Sequence, residues 1–199
     1  MHVLIFGAAG MIGRKLAQHL AHAGELAGRT ISALSLVDVT PPERPAGFGG
    51  SVSVASSDIA DAGTAARCMA ARPDVIFHLA AIVSGEAEAD FEKGYRINLD
   101  GTRHILEAVR REGMTADYRP RFVFASSIAV YGAPFPEVIG DEFFTTPLTS
   151  YGTQKAMSEL LLADYARRGF LDGIAIRLPT ICIRPGKPNK AASGFFSNI

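Results

Sequence analysis

MHVLIFGAAGMIGRKL, residues 1–16, begins as an apolar run, passes through three glycines at three-residue spacing and then turns helical. Val3 to Phe6 read as a buried strand, while Met11, Ile12, Leu16 and Leu20 recur near the helical period. Gly7, Gly10 and Gly13 therefore fall on the turn between a strand and a helix. There the backbone bends sharply, approaches a neighbour or ligand closely, and aims the first N–H groups of the helix at an anion. The stretch predicts a pyrophosphate site. Its glycines are not the G-x-G-x-x-G fingerprint, because the first gap holds two residues, and a purely architectural turn would use one or two of them.

Outward from this turn, strand-like segments recur at 33–37, 51–55, 75–79, 121–125 and 173–178. Helical patterns cover 11–23, 61–71, 88–111 and 151–168. Such alternation predicts an α/β fold: a Rossmann-like, doubly wound parallel sheet with helices on both faces. VLIF, VIFHLA and RFVFAS lack polar alternation and are expected at the sheet centre. Residues 41–50 and 134–150 read as loops by their prolines and glycines, and both are expected over the ligand edge. Residues 1–178 are expected to form one dinucleotide-binding domain. Residues 179–199 open a substrate-binding region, because the segment after Pro188 starts a new element, with Ser193 a candidate cap and no stop signal. The sequence thus reads as the front part of a longer protein.

Composition narrows the partners. The 199 residues carry a formal net charge of zero with scattered basic residues, so nucleic acid and anionic membranes are set aside. No apolar run is long enough to span a bilayer, and the chain starts directly on a strand, so a cytoplasmic protein is expected. Cys68 and Cys182 are the two cysteines; their separation suits neither a metal site nor a disulfide framework, and reduced structural thiols are expected.

Further candidates lie at strand ends. Asp38 closes the second strand, where an acidic side chain accepts hydrogen bonds from an adenosine ribose and repels a 2′-phosphate, favouring NAD over NADP. Arg44, nearby, would complicate that preference unless it is simply solvated. Asp58 and Ile59 could offer a carboxylate and an apolar side to adenine, although Asp58 or Asp61 suits a helix N-cap equally. The small residues of HLAA, His78 to Ala81, would let a cofactor pass close to backbone at Leu79, Ala80 and Ala81, and His78 itself reads as a core histidine. Tyr151 and Lys155 are four apart at a helix start and so share a face. A tyrosine, with a free pKa of about 10, works as a base near neutrality only where positive charge stabilises its phenolate. Ser126 and Ser127 leave the end of the fifth strand, on the edge where ligands of open sheets sit; turn chemistry accounts equally for one of them.

In this order, GAAGMIG, Asp38, HLAA, NLDGT (98–102), SSIAVYG, YGTQK and RLPTICIRPG resemble the extended short-chain dehydrogenase/reductase family, also called the NAD-dependent epimerase/dehydratase family. The resemblance implies that Gly7, Gly10, Met11, Ile12 and Gly13 surround the pyrophosphate of NAD and that Asp38 holds the adenosine ribose. It makes Tyr151 the general acid/base, Lys155 its partner on the nicotinamide ribose, and Ser127 the catalytic serine. Ser126 would lie against substrate, Pro179 against the cofactor, and Asn98 would support the active-site helix and its water relay. Family members resemble homodimers pairing two long helices per subunit, here 88–111 and 151–168.

The fold leaves the reaction open. Family epimerases carry an aromatic-Phe-Asn sequence after the sixth strand, where this chain has Pro179, Thr180 and Ile181. Dehydratases carry an Asp-Glu pair after the serine, where Ile128 and Ala129 stand. The segment from Pro179 onward is more similar to members that oxidise the C2 hydroxyl of a short sugar acid with NAD. Arg184, Lys187 and Lys190 follow the strand, and an arginine fork suits a carboxylate. A nucleotide-sugar epimerase with tightly held NAD, and a non-catalytic NAD sensor, remain the alternatives.

Overall fold

The computed structural model describes residues 1–181; Cys182, Arg184, Lys187, Lys190 and Ser193 lie outside them. In chain order its first elements are β1 (His2–Phe6), α1 (Met11–Ala23), β2 (Glu25–Leu26), β3 (Arg29–Thr30), β4 (Ala33–Asp38), β5 (Ser51–Ser56) and α2 (Ala62–Met69). There follow β6 (Val75–His78), α3 (Ser84–Ala89), α4 (Phe91–Gly94), a π-helical turn (Tyr95–Asp100) and α5 (Gly101–Thr115). Last come β7 (Arg121–Ser127), a 3-10 turn (Ile128–Val130), α6 (Ser150–Arg167) and β8 (Asp172–Leu178).

The main sheet has six strands in the order β5-β4-β1-β6-β7-β8, and every neighbouring pair is parallel. From β1 the chain builds toward β5, then returns to the other side at β6. The order reverses between β1 and β6, and the carboxyl ends of the strands at such a switch point are where open α/β sheets bind ligands. The uninterrupted apolar runs lie in the centre: Val3, Leu4, Ile5 and Phe6 are at most 1% exposed. By contrast, β5 and β8 alternate exposed with partly buried residues, as edge strands do.

One face of the sheet, with Leu4, Phe6, Ile76, Phe122 and Phe124, packs on Met69 of α2, Ile105, Leu106 and Val109 of α5, and Leu162 of α6. The other face, with Val3, Ile5, Leu34 and Leu36, packs on Ala17, Leu20 and Ala21 of α1. No helix among the described residues is long and apolar enough to cross a membrane, and no three His, Cys, Asp or Glu among them gather as metal ligands.

The single helix expected over 88–111 is broken. Asp90 leaves helical geometry (φ −130, ψ 88) and its side chain caps α4 by accepting from Lys93 N–H. The chain then widens into the π-helical turn before α5. The β2–β3 hairpin was not foreseen: with two residues per strand, it turns through Ala27 and Gly28 at positive φ and carries no readable period.

Candidate active site

The three glycines do different work. Gly7 has φ +83, and a Cβ on it would lie 2.6 Å from Ala80 N and 2.7 Å from Leu79 C, so the turn closes directly over the end of β6. A Cβ on Gly13 would meet Gly7 O at 2.1 Å. Gly10 is exposed, and a Cβ there would meet only Gly7 O, at 3.2 Å. As N-cap of α1 it offers no side chain to the helix, and the first turn holds no acidic residue. Met11 and Ile12 follow, half-buried. The unsatisfied N–H groups at this helix end are therefore open to an anion.

Asp38 stands against this turn. Its Oδ2 accepts from Ala9 N–H at 3.0 Å and its Oδ1 from Thr40 N–H at 3.2 Å, so the carboxylate anchors the glycine loop. Arg44 points elsewhere and donates to Val52 O on β5 at 2.5 Å. Asp58 accepts from Ala60 N–H and from Arg96, each at 2.9 Å. Burial alone would raise its carboxyl, but those two donors outweigh it and hold the pKa below the usual value. Asp61, not Asp58, is the N-cap of α2. Ile59 is not an open apolar wall: it is 5% exposed, and a Cβ on Gly101 of α5 would lie 2.9 Å from its Cδ1.

Leu79 and Ala80, half-buried, and Ala81, exposed, carry the chain out of β6 beneath Gly7. His78 is core. Its ring lies among Phe6, Phe122 and Phe124, with centroids 5.4–6.2 Å away, and Nε2 is 2.9 Å from Thr102 Oγ1. Thr102 gives its own proton to Asn98 O at 2.7 Å, so it accepts from His78 and the imidazole proton resides on Nε2. Burial, then the nearby Lys155, push the His78 pKa down to about 3, keeping it neutral.

The start of α6 is set onto the end of β7. Thr149 caps the helix by accepting from Gly152 N–H at 3.1 Å. A Cβ on Gly152 would lie 2.1 Å from Ala129 O, so only glycine lets this turn reach the backbone just after Ser127. Ser127 Oγ accepts from Ala129 N–H at 3.1 Å, a bond that leaves the hydroxyl proton unused. Ser126, next along the strand, faces the other way. It is 3% exposed and donates to the Glu159 carboxylate, which also takes Arg177 Nη2 at 2.8 Å. The expected role of Ser126 against substrate is thereby corrected: its hydroxyl belongs to a buried ion-pair network.

Lys155 is 2% exposed. Its Nζ donates to Ala125 O at 2.8 Å and lies 4.6 Å from the Phe124 ring centroid and 5.7 Å from that of Tyr151. Burial draws its pKa down to about 7, against the pull of Glu159 in the other direction. Asn98, 2% exposed, accepts at Oδ1 from Ile82 N–H at 2.9 Å and donates from Nδ2 to Gln154 Oε1 at 2.8 Å. Its main-chain carbonyl accepts from Thr102 Oγ1 at 2.7 Å, while Ser158 Oγ gives its proton chiefly to Gln154 O at 2.8 Å and lies 3.3 Å from Asn98 O. Pro179 directly follows β8 and is exposed.

Sequence reasoning passed over Gly152, Gln154 and the Glu159–Arg177 pair. Gly152 did carry a signal: a glycine in the first turn of a helix costs propensity and asks for a reason. The other pairings join residues far apart in the chain and had none.

Comparison with known proteins fits this geometry. The model of the NAD dependent epimerase/dehydratase family matches residues 3–199. A D-erythronate dehydrogenase of Cupriavidus necator is 47% identical over the whole chain, and the chain spans 61% of that relative's length. The crystal structure of a nucleoside-diphosphate-sugar epimerase from Agrobacterium tumefaciens is 65% identical with a TM-score of 0.96, over 100% of this chain and 58% of that one. The UDP-glucose 4-epimerase of Brucella ovis, solved in complex with NAD, is 32% identical with a TM-score of 0.72, over 88% of this chain and 51% of that one. With the family's pattern matched from the first strand onward and its glycine turn, Tyr151 and Lys155 set along one sheet edge, this chain belongs to the NAD-dependent epimerase/dehydratase family.

Proposed function

We propose that this chain is the cofactor-binding and catalytic part of an NAD-dependent dehydrogenase that oxidises the C2 hydroxyl of a short sugar acid, D-erythronate foremost, to the 2-keto acid. The observation that carries the chemistry is Lys155, buried and held by Ala125 O beside the Tyr151 ring. The substrate class is supported by the relative that is 47% identical over the whole chain.

The bare N-terminus of α1 behind Gly10 fits a pyrophosphate, with Gly7, Gly13, Met11 and Ile12 forming the rest of its bed. Asp38 would take the adenosine ribose and Asp58 the adenine amine, while Leu79 to Ala81 and Pro179 would border the cofactor and Lys155 its second ribose. NAD, when bound, supplies the acceptor for the C2 hydride. Tyr151, as phenolate, takes the hydroxyl proton as the C2–O bond becomes a carbonyl. Lys155, when charged, stabilises that phenolate across a medium too poor in water to screen it. Ser127 donates its hydroxyl proton to the substrate oxygen, where negative charge develops. Residues 1–178 would form the NAD domain and 179–199 the start of the substrate region, with Arg184 for the carboxylate. A homodimer through α5 and α6 completes the reading; Met157 and Leu160, 39% and 69% exposed, give α6 an apolar outer side.

A second reading, an epimerase on a nucleotide-linked sugar that retains its NAD, is favoured by the name of the 65% identical structure. The two separate on one assay. The intact protein is incubated with NAD and a panel of short sugar acids, and reduced nicotinamide is followed by absorbance. Net reduction with one acid supports the dehydrogenase, and Tyr151→Phe is then expected to abolish turnover while NAD still binds. No reduction across the panel, with NAD binding intact, transfers the assignment to the epimerase.

A further inference from the structure

Gln154 precedes Lys155 on α6 and is wholly buried, with 0% exposure. Its Oε1 accepts from Asn98 Nδ2 at 2.8 Å. Asn98 in turn meets both backbone groups of Ile82: Oδ1 accepts from Ile82 N–H at 2.9 Å and Nδ2 donates to Ile82 O at 3.3 Å. This chain of amides has one workable polarity. A reversed Gln154 would set donor against donor, and a reversed Asn98 would set its oxygen against two other oxygens. The acceptor on Gln154 thus selects the orientation of Asn98, and Asn98 holds Ile82. Ile82 lies two residues beyond Ala80, the residue over which Gly7 turns.

The opposite end of the Gln154 amide tells the same story. Nε2 meets no acceptor among the described residues, and a Cβ on Gly94 would lie 2.6 Å from it. A buried donor without a partner is a stability cost. The fold carries that cost and keeps a glycine at 94; an apolar side chain of the same length would remove the orphaned Nε2 but leave the Asn98 amide without its acceptor. What the glutamine adds is the acceptor facing Asn98.

We infer that Gln154 is a positioning residue of the active site: through Asn98 it fixes the segment leaving β6 relative to α6, and so the cofactor's bed relative to Tyr151 and Lys155. The inference rests on the reading of this site as an NAD-dependent dehydrogenase. Gln154→Met keeps the length of the side chain and removes both polar ends. In the intact protein it is expected to change the thermal midpoint little, since the orphaned donor passes from Gln154 to Asn98, and to speed hydrogen exchange at the Ile82 amide by about tenfold. NAD affinity should weaken, and kcat on the sugar acid should fall between about tenfold and a hundredfold. Because Gln154 acts through Asn98, adding Gln154→Met to Asn98→Ala should lower kcat no further. Unchanged Ile82 exchange and NAD affinity in Gln154→Met would overturn the inference, as would a loss that adds in full to that of Asn98→Ala. Should the wild-type protein reduce no NAD with any acid, the dehydrogenase reading alone fails. Exchange at Ile82 and NAD titration then still decide the role of Gln154.

Discussion

Gly10 and Gly13 belong to one motif, yet the space around them differs. A methyl group on Gly13 would run into Gly7 O at 2.1 Å, with Ala8 Cα at 2.7 Å behind it. Gly13→Ala is therefore expected to destabilise the protein by about 1–3 kcal/mol, as overpacking in a tight core does. At Gly10, where backbone is extended (φ −68) and the nearest atom is 3.2 Å away, alanine should leave the thermal midpoint nearly unchanged and weaken NAD binding instead. Thermal scans paired with NAD titration separate the two, and equal behaviour would remove Gly10 from the pyrophosphate bed. Lys155 allows a second test at this scale. Its pKa falls from 10.5 unfolded to about 7 folded. Between those values the unfolded chain holds a proton that the folded chain lacks, so the contribution of this group to stability rises with pH across the window. Lys155→Met removes that dependence. Its stability relative to wild type should be highest near pH 6 and decline toward pH 10, by a few kcal/mol at most, at about 1.4 kcal/mol per pKa unit. Urea denaturation at several pH values reads this directly, and a pH-independent difference would place the buried ammonium elsewhere in the energetics. The three glycines, Asp38, Tyr151 and Lys155 were legible because each is tied to a local pattern, a turn or a helix face. The turning away of Ser126 was not, since its partner Glu159 lies 33 residues on.

Helix α6 concentrates the site. Tyr151, Gln154, Lys155, Ser158 and Glu159 recur at helical spacing on one side, a stripe that is apolar in most surface helices. Gln154, Lys155 and Ser158 are buried, so the sequence, searched for an apolar stripe, underrates the inward face. The far half of this stripe fastens the helix to an edge strand. Arg177 of β8 reaches Glu159 with Nε at 3.1 Å and Nη2 at 2.8 Å, and its other nitrogen bonds Tyr131. Side-chain exposures of 26% and 11% make this a largely buried pair. Removing one partner leaves the other charge buried and unpaired, which costs about 3–5 kcal/mol when burial is complete. Glu159→Gln should lose about 2 kcal/mol in urea denaturation, scaled down for the remaining exposure, and Glu159→Met with Arg177→Met should lose less than the single variant. A larger loss in the double variant would mean that packing, not charge, holds α6 to β8. The broken 88–111 helix was illegible at this scale: its apolar period runs on, while Asp90 bends the chain by capping α4 from within.

Across the whole molecule, the sheet order was implied by chain logic. Uninterrupted apolar runs marked β1, β6 and β7 as central, and β–α alternation with parallel pairing leaves few ways to arrange the rest. What the sequence could not place was which helix faces have neighbours beyond the chain. α6 packs Leu162 into the core beneath the sheet, yet carries Met157 and Leu160 outward at 39% and 69% exposure. An apolar patch on the outer side of a helix whose inner side is already buried offers a surface to a partner, and in the proposed homodimer its cover is the same helix pair of another copy, an isologous contact. The intact protein should then elute as a dimer in light scattering. Met157→Lys with Leu160→Lys should give a monomer whose thermal midpoint, measured at high dilution, is close to wild type, because neither side chain packs within its own chain's core. A wild-type protein that is already monomeric, or a doubly charged variant that remains dimeric, removes this face from the assembly. The active site adds a second readout: Tyr151 and Lys155 stand on the opposite side of the same helix, so separation into monomers tests whether α6 holds its polar stripe in place without a neighbour behind it.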